Sequence, residues 1–304
     1  MKRWEALDEF RGFSVVLLVL FSLIGMFTEI PDWLKHAKGN GFTIADLIAP
    51  LFLFSVGLSF QASLANRLSR GTKMEAIKHY VYRSLTFIGF GLAGELAKYN
   101  DWQLHWGVLE MIGLSSLVAL PFLFLDFKKR LLVGSLFVFL WQLSLSSGYD
   151  FTALSYDLGG PLGSIAWSSV ILVASGLSEN QENSSSILFD VALVCFSASI
   201  LGNCFWPINK HLVNLSYLVL SISLSAAIFL FFQLKKGFGF PLLRHFGKNA
   251  LLFYVLAGLM NLLVKNTLPV TLQWHYTFGL VLVIFLFYSI LAKFLDVKKI
   301  YWKI

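Results

Sequence analysis

Long apolar runs make up most of this 304-residue chain and restrict its fold more than any other feature. A helix that crosses a bilayer needs about 20 consecutive, mostly apolar residues. The runs are continuous rather than alternating, which favours helices over strands. Ten segments qualify: 10–28, 44–64, 80–97, 104–125, 130–147, 163–178, 187–205, 213–233, 248–265 and 275–295. The sequence therefore predicts an all-α integral membrane protein, a bundle of about ten transmembrane helices that forms one domain over residues 1–304.

The basic residues are distributed unevenly between the two sides of such a bundle. With ten spans, 18 of the 24 Lys and Arg residues fall on the side of the termini and five on the opposite side, with Arg83 inside the third span. Cytoplasmic loops of membrane proteins carry the excess of Lys and Arg, so we expect both termini in the cytoplasm. The net charge of +7 is this asymmetry, and no nucleic-acid partner is expected.

Four ionisable residues fall inside or at the start of the predicted spans: Asp46, Arg83, Glu95 and Glu110. Asp46 follows Thr43 in a T-x-x-D pattern that caps helices, and it either caps the second span alone or also orients a neighbour. Arg83 either extends to the lipid headgroups or holds a phosphate. Glu95 and Glu110 either share a proton as a buried pair or relay protons.

His36 lies between the first two apolar runs, on the side opposite the termini. Glycine and asparagine follow it at Gly39, Asn40 and Gly41, and an acidic residue opens the next helix. An imidazole exchanges protons near neutral pH, which suits a general base or an acyl-accepting nucleophile. A loop histidine can also be ordinary solvated surface, so the pattern leaves both interpretations open.

Several stretches together resemble one family of membrane enzymes, the heparan-α-glucosaminide N-acetyltransferases. Asp8 to Gly12 is similar to the family's D-x-x-R-G start, and His36 to Phe54 to its H-A-x-x-N-G-x-T-x-A-D-x-x-x-P-x-F-x-F block. Weaker similarities lie at Gly107 to Gly113, Pro207 to Tyr217 and Lys298 to Ile304. Departures from the family pattern occur at Ser22, Gly39, Glu110, Met111, Val213 and Ala257.

The resemblance implies an acyl transfer across the membrane, from cytosolic acetyl-CoA to an amino sugar or sugar hydroxyl on the far side. It places the family's catalytic histidine on His36 and its aspartate on Asp46. We further expect donor-binding residues at Arg11, Arg83, Lys248 and Asn249. Acceptor-binding residues are expected at Asn40, Asn209, Lys210 and Glu110.

Two other functions fit the sequence. The acids at membrane depth suit a transporter or flippase for a sugar or lipid-linked substrate. The departures from the family pattern suit a catalytically silent protein that binds acyl-CoA. We expect the protein in the cell membrane, or in the lysosomal membrane of a eukaryote, with a homodimer as one option. Cys195 and Cys204 show no metal-ligand spacing, so no bound metal is expected.

Overall fold

The structure, a computed structural model, describes residues 4–99, 105–148, 157–178, 184–235 and 239–302. Within these ranges the regular elements are all helical, with no β-strand. The α-helices of these ranges are α1 Glu5–Ile24, α2 Ile48–Leu68, α3 Lys73–Tyr99, α4 Val108–Ala119, α5 Phe127–Ser146, α6 Gly160–Leu177, α7 Ser184–Asn203, α8 Leu215–Leu234, α9 Pro241–Lys248, α10 Ala250–Thr267 and α11 Trp274–Val297. The predicted all-α class is confirmed.

Among the described residues, six helical segments are long and apolar enough to cross a membrane. They are Ile44–Leu68, Gly160–Leu177, Ser185–Asn203, Leu215–Leu234, Ala250–Thr267 and Trp274–Val297. A helix also occupies each of the other predicted spans, but α1, α3 and α5 carry several charged residues and α4 is short. The protein is therefore a multi-pass membrane protein, and the count of ten crossings stays a prediction.

The described residues form two compact units. The first comprises residues of 1–38, 43–51 and 231–304. In it α1 packs on α9, α10 and α11. Two glycines allow the close crossing of α1 and α9: a Cβ on Gly12 would lie 1.8 Å from the carbonyl oxygen of Leu243, and one on Gly247 would lie 1.8 Å from that of Asp8. Small residues at a helix crossing let the backbones approach in this way.

The second unit comprises residues 39–42 and 52–230. Its centre is α6, which is buried along almost its whole length and packs on α4, α5 and α7. The fully buried indole of Trp167 donates a hydrogen bond to the carbonyl oxygen of Leu158 at 3.1 Å. A Cβ on Gly57 would lie 2.6 Å from the carbonyl oxygen of Ile171, so α2 also approaches α6 closely. The predicted single domain over 1–304 stays a prediction.

Candidate active site

The segment that carries His36 ends in a short 3₁₀ turn, Ile44–Leu47, which leads directly into α2. Thr43 precedes the turn in an extended conformation, with φ at −121° and ψ at 170°. The backbone N–H of Asp46 donates to the carbonyl oxygen of Thr43 at 3.1 Å. The Asp46 side chain lies against the residue that precedes the turn, because it accepts a hydrogen bond from the backbone N–H of Thr43.

His36 and Asp46 form a close polar pair in the first unit. Nδ1 of His36 lies 2.8 Å from Oδ1 of Asp46. A carboxylate oxygen can only accept, so Nδ1 is the donor in this pair and carries the ring proton. A neutral imidazole protonated at Nδ1 has its lone pair on Nε2. In the neutral ring, Nε2 therefore carries its lone pair on the side away from Asp46.

The second oxygen of Asp46 is held by the segment around it. Oδ2 accepts hydrogen bonds from the backbone N–H of Thr43 at 3.0 Å, the hydroxyl of Thr43 at 3.0 Å and the backbone N–H of Ala37 at 3.3 Å. Asp46 thus caps the turn and contacts His36 at the same time, so the two interpretations left open by the sequence are both present. Donors on Oδ2 leave the carboxylate little freedom to rotate away from the imidazole.

Exposure differs sharply between the two partners. The Asp46 side chain is fully buried, whereas the His36 side chain is 55% exposed. A buried carboxylate and an accessible imidazole are the arrangement in which the acid orients the base and a substrate reaches the base. Such a pair can remove a proton from an amine or hydroxyl, or attack an activated acyl group itself.

Two of the predicted acceptor-binding residues meet in the second unit. Nδ2 of Asn209 donates to Oδ1 of Asn40 at 3.1 Å, and the backbone N–H of Gly41 donates to the carbonyl oxygen of Ile208 at 2.8 Å. Gly41 has φ at 134°, which favours glycine at this position. Oδ1 of Asn209 accepts from the backbone N–H groups of His211 and Leu212, so its side chain is fixed. Lys210, the next residue, is buried.

Glu110, the fourth predicted acceptor-binding residue, is buried beside two glycines of the second unit. A Cβ on Gly91 would lie 2.3 Å from Cδ of Glu110. A Cβ on Gly107 would lie 2.9 Å from Oε2 of Glu110 and 2.8 Å from Oε1 of Glu95. The two carboxyl groups thus converge on Gly107, while Glu95 also pairs with Lys98 at 3.3 Å.

The predicted donor-binding residues of the first unit are engaged within the protein. Nζ of Lys248 lies 2.7 Å from both oxygens of Asp296. The buried amide of Asn249 donates to the carbonyl oxygen of Ile300 at 2.9 Å and accepts from the backbone N–H of Trp302 at 2.9 Å. Nη1 of Arg11 lies 3.4 Å from Oδ1 of Asp8. These contacts give Lys248 and Asn249 a structural role, and their role in donor binding stays a prediction.

Charged clusters that the sequence analysis missed lie in both units. Asp296 accepts hydrogen bonds from His245 at 2.6 Å and Tyr301 at 2.7 Å as well as from Lys248. Buried Glu9 pairs with Lys235 and with Arg244. In the second unit Arg67 contacts His79. Tyr301 is five residues from Asp296 and Arg67 is 12 residues from His79, but the other partners are 48 or more residues apart, so sequence spacing gives no signal for them. Over the residues described, no group of three His, Cys, Asp or Glu side chains is placed to hold a metal ion.

Comparisons with known proteins point in one direction. Residues 3–159 match the family described as heparan-alpha-glucosaminide N-acetyltransferase, catalytic. Over 125 residues, which are 38% of this chain and 18% of the relative, the sequence is 33% identical to the heparan-alpha-glucosaminide N-acetyltransferase of Mus musculus. It is 32% identical over 125 residues to that of Homo sapiens, again over 18% of the relative. The matched stretch therefore spans less than a fifth of these curated relatives. The family match includes both His36 and Asp46.

Proposed function

Because this chain belongs to the heparan-alpha-glucosaminide N-acetyltransferase catalytic family, we propose that it is a membrane-embedded acetyltransferase. Its donor is acetyl-CoA, and its acceptor is the amine or hydroxyl of a sugar. The observation that carries this proposal is the accessible imidazole of His36 held by buried Asp46 at 2.8 Å. A family match alone would leave open whether the residues of this chain still form a reactive site.

In the direct form of the reaction, Nε2 of His36 takes the proton of the acceptor amine or hydroxyl. The acceptor then attacks the thioester carbonyl carbon, and a tetrahedral oxyanion forms. The carbon–sulfur bond breaks as the oxyanion collapses, and the CoA thiolate receives the proton from the imidazolium. Asp46 stabilises the imidazolium while it exists, because its carboxylate remains ionised beside Nδ1.

In the alternative form, Nε2 itself attacks the thioester, the carbon–sulfur bond breaks, and CoA leaves as the thiolate while the ring carries the acetyl group as an acyl-imidazolium. The acceptor then attacks that carbonyl, its proton passes to the CoA thiolate, and the imidazole leaves as the neutral ring. Both forms need the same tautomer of His36. The contact between Nδ1 and Asp46 therefore supports the proposal whichever route operates.

The distribution of Lys and Arg supports an arrangement in which both termini and the donor are cytosolic, while His36 and the acceptor are extracytoplasmic. The protein crosses the membrane about ten times, in the cell membrane of a bacterium or the lysosomal membrane of a eukaryote. Arg11, Arg83, Lys248 and Asn249 remain assigned to the donor by sequence, and Asn40, Asn209, Lys210 and Glu110 to the acceptor. Asn209 and Lys210 would bind acceptor hydroxyls or the oxyanion.

The test is acetyl transfer by the purified chain in sealed proteoliposomes. Acetyl-CoA with a labelled acetyl group is supplied on one face and glucosamine or glucose on the other. The proposal predicts labelled N- or O-acetyl sugar on the acceptor face, with no net movement of unmodified sugar. Movement of sugar without CoA would instead identify a carrier. Binding of CoA without turnover on any acceptor would identify a silent acyl-CoA-binding protein.

The carrier is the second candidate because Glu95 and Glu110 converge on Gly107. Buried carboxyl pairs at membrane depth occur along proton pathways of transporters. A carrier driven in this way would lose sugar movement in Glu110→Gln and keep it in His36→Ala. The acetyltransferase proposal requires the His36 variant to be the inactive one.

A further inference from the structure

A basic cluster at the junction of α2 and α3 belongs to none of the sites described so far. Nη2 of Arg67, in the last turn of α2, lies 2.6 Å from Nε2 of His79 near the start of α3. A guanidinium can only donate, so Nε2 of His79 accepts and the neutral ring carries its proton on Nδ1. Arg83 lies one helical turn beyond His79 on α3. The cluster is therefore built from two guanidinium groups and an imidazole within one unit.

Positive charge dominates this cluster. Burial lowers the pKa of His79 below its ordinary value, and the charges of Arg67 and Arg83 lower it further. Nε of Arg67 is buried and has no hydrogen-bond partner among the described atoms. Clustered like charges with an unused buried donor favour an anion that accepts several hydrogen bonds.

Apolar and aromatic side chains adjoin the basic groups. Arg83 and Tyr80 line a small cleft whose other walls include Phe60, Phe87 and Leu123. The ring centroids of Phe60 and Tyr80 are 4.6 Å apart, and Cζ of Arg83 lies 5.3 Å from the ring centroid of Phe87. A ligand that contacts both the basic cluster and this apolar cleft has an anionic group and an apolar part.

We propose that Arg67, His79 and Arg83 bind the phosphate of a phospholipid headgroup, with the adjoining apolar cleft against the lipid's glycerol and upper acyl region. Phosphate is also present in the CoA donor, and the position of the cluster decides between the two sources. Arg67 lies at the end of Ile44–Leu68, a helical segment long enough to cross a bilayer, which places the cluster level with the headgroups. Basic pockets between membrane helices bind anionic lipids at this depth.

The sequence assigns Arg83 to the phosphates of the donor, and the test below decides between that assignment and this one. The lipid assignment does not depend on the proposed acetyltransferase activity, because it concerns lipid binding alone. A phosphate diester with a net negative charge, as in phosphatidylglycerol, offsets part of the positive charge of the two guanidinium groups. A zwitterionic lipid brings its own cation, so phosphatidylcholine is expected to bind less tightly.

The test is binding of phosphatidylglycerol and phosphatidylcholine to the purified full chain in detergent, followed by thermal unfolding and by native mass spectrometry. Wild type is expected to gain thermal stability with phosphatidylglycerol and much less with phosphatidylcholine. Arg67→Gln and Arg83→Gln are each expected to weaken phosphatidylglycerol binding about fivefold, the effect of one basic group near an anionic lipid surface. Arg67→Lys keeps the charge and is expected to retain part of the binding.

Lys129→Gln is the matched control, because Lys129 is a basic residue that pairs with Asp126 outside the cluster. Its lipid binding is expected to equal that of wild type. Equal phosphatidylglycerol binding by wild type and the Arg67→Gln, Arg83→Gln double variant would overturn the proposal. Loss of CoA binding in that double variant, with lipid binding unchanged, would assign the phosphate to the donor and would also overturn it. Circular dichroism of each variant in detergent establishes that it is folded.

Discussion

The Asp46 carboxyl serves two neighbours at once, because Oδ1 accepts from His36 while Oδ2 accepts from Thr43 and Ala37. A carboxylate with all of these bonds holds the imidazole in one tautomer and one orientation. That tautomer leaves Nε2 as the reactive atom. The reactivity of His36 in this account therefore depends on Asp46, although only His36 is accessible to a substrate.

Replacing Asp46 by Asn tests this dependence at the scale of one residue. The amide has the same size, but it no longer accepts at both positions and no longer stabilises an imidazolium. We expect Asp46→Asn to fold and to lower kcat for acetyl transfer by at least about a hundredfold, because the ring loses the partner that fixes its tautomer. Asp32→Asn is the control, since Asp32 is a largely exposed acid close by in sequence. Equal losses in both variants would contradict the assignment.

The contact between His36 and Asp46 can be predicted from the sequence, because the two residues are ten positions apart and the T-x-x-D pattern marks the turn at Asp46. The pairing of Asn40 with Asn209 was not, because 169 positions separate them. The Asp296 cluster was missed for the same physical reason. Its partners lie up to 51 positions away, and only tertiary packing brings them together.

Helix packing in both units depends on glycines where another chain segment approaches. Two glycines of α3, Gly89 and Gly91, differ in this respect. The carboxyl of Glu110 occupies the space beside Gly91, while nothing lies within 4 Å of the Cβ position of Gly89. A Gly→Ala substitution should therefore affect stability differently at the two sites.

We expect Gly91→Ala to destabilise the protein by roughly 1–3 kcal/mol, because the new methyl group overlaps the buried Glu110 carboxyl, which must leave its position. Gly89→Ala is expected to be neutral or to stabilise the helix by up to about 1 kcal/mol. Thermal or denaturant unfolding in detergent measures both. A Gly91→Ala protein as stable as Gly89→Ala would show that Glu110 does not occupy this space.

Asn249 connects the start of α10 to the segment after α11, through its bonds with Ile300 and Trp302. We expect Asn249→Ala to raise the amide exchange rate of Trp302 about fivefold or more, because the loss of one hydrogen bond is worth roughly 1 kcal/mol. Hydrogen–deuterium exchange of C-terminal peptides measures this rate. Asn266→Ala, at an exposed position of the same helix, is the control. An unchanged rate in Asn249→Ala would remove the structural role assigned to this residue.

The sequence predicts the helices well, since a helix is found at each of the ten apolar runs. Hydropathy does not separate α9 from α10, because the break between them is set by the backbone at Asn249, where φ is −127° and ψ is 37°. The predicted ninth span begins at residue 248 and so includes the last residue of α9 together with α10. The charged residues in α1, α3 and α5 lower the mean hydropathy of these helices. Hydropathy alone therefore does not decide whether they cross the membrane.

At the scale of the whole molecule, the described residues form two compact units that interleave along the chain. No pattern in the sequence marks this division, because the boundaries at 38, 43, 51 and 231 lie within or beside apolar segments. The distribution of Lys and Arg, by contrast, is a property that the sequence alone supplies. It gives the predicted orientation, with His36 extracytoplasmic and the termini cytoplasmic.

Site-directed labelling tests this orientation. Lys38 and Lys129 are both largely exposed, and three predicted spans separate them. In a protein without Cys195 and Cys204, we expect a cysteine at position 38 to react with a membrane-impermeant maleimide on intact cells. A cysteine at position 129 should react only after the membrane is permeabilised. The reverse pattern would place the reactive histidine in the cytoplasm.

The proposed acyl transfer depends above all on the imidazole of His36. The most direct measurement is the rate at which purified His36→Ala protein transfers labelled acetyl from CoA to glucosamine, beside wild type and His275→Ala, in which a different exposed histidine is removed. We predict activity in wild type and His275→Ala and a loss of at least about a hundredfold in His36→Ala. Transfer by the His36→Ala protein at the wild-type rate would contradict the account.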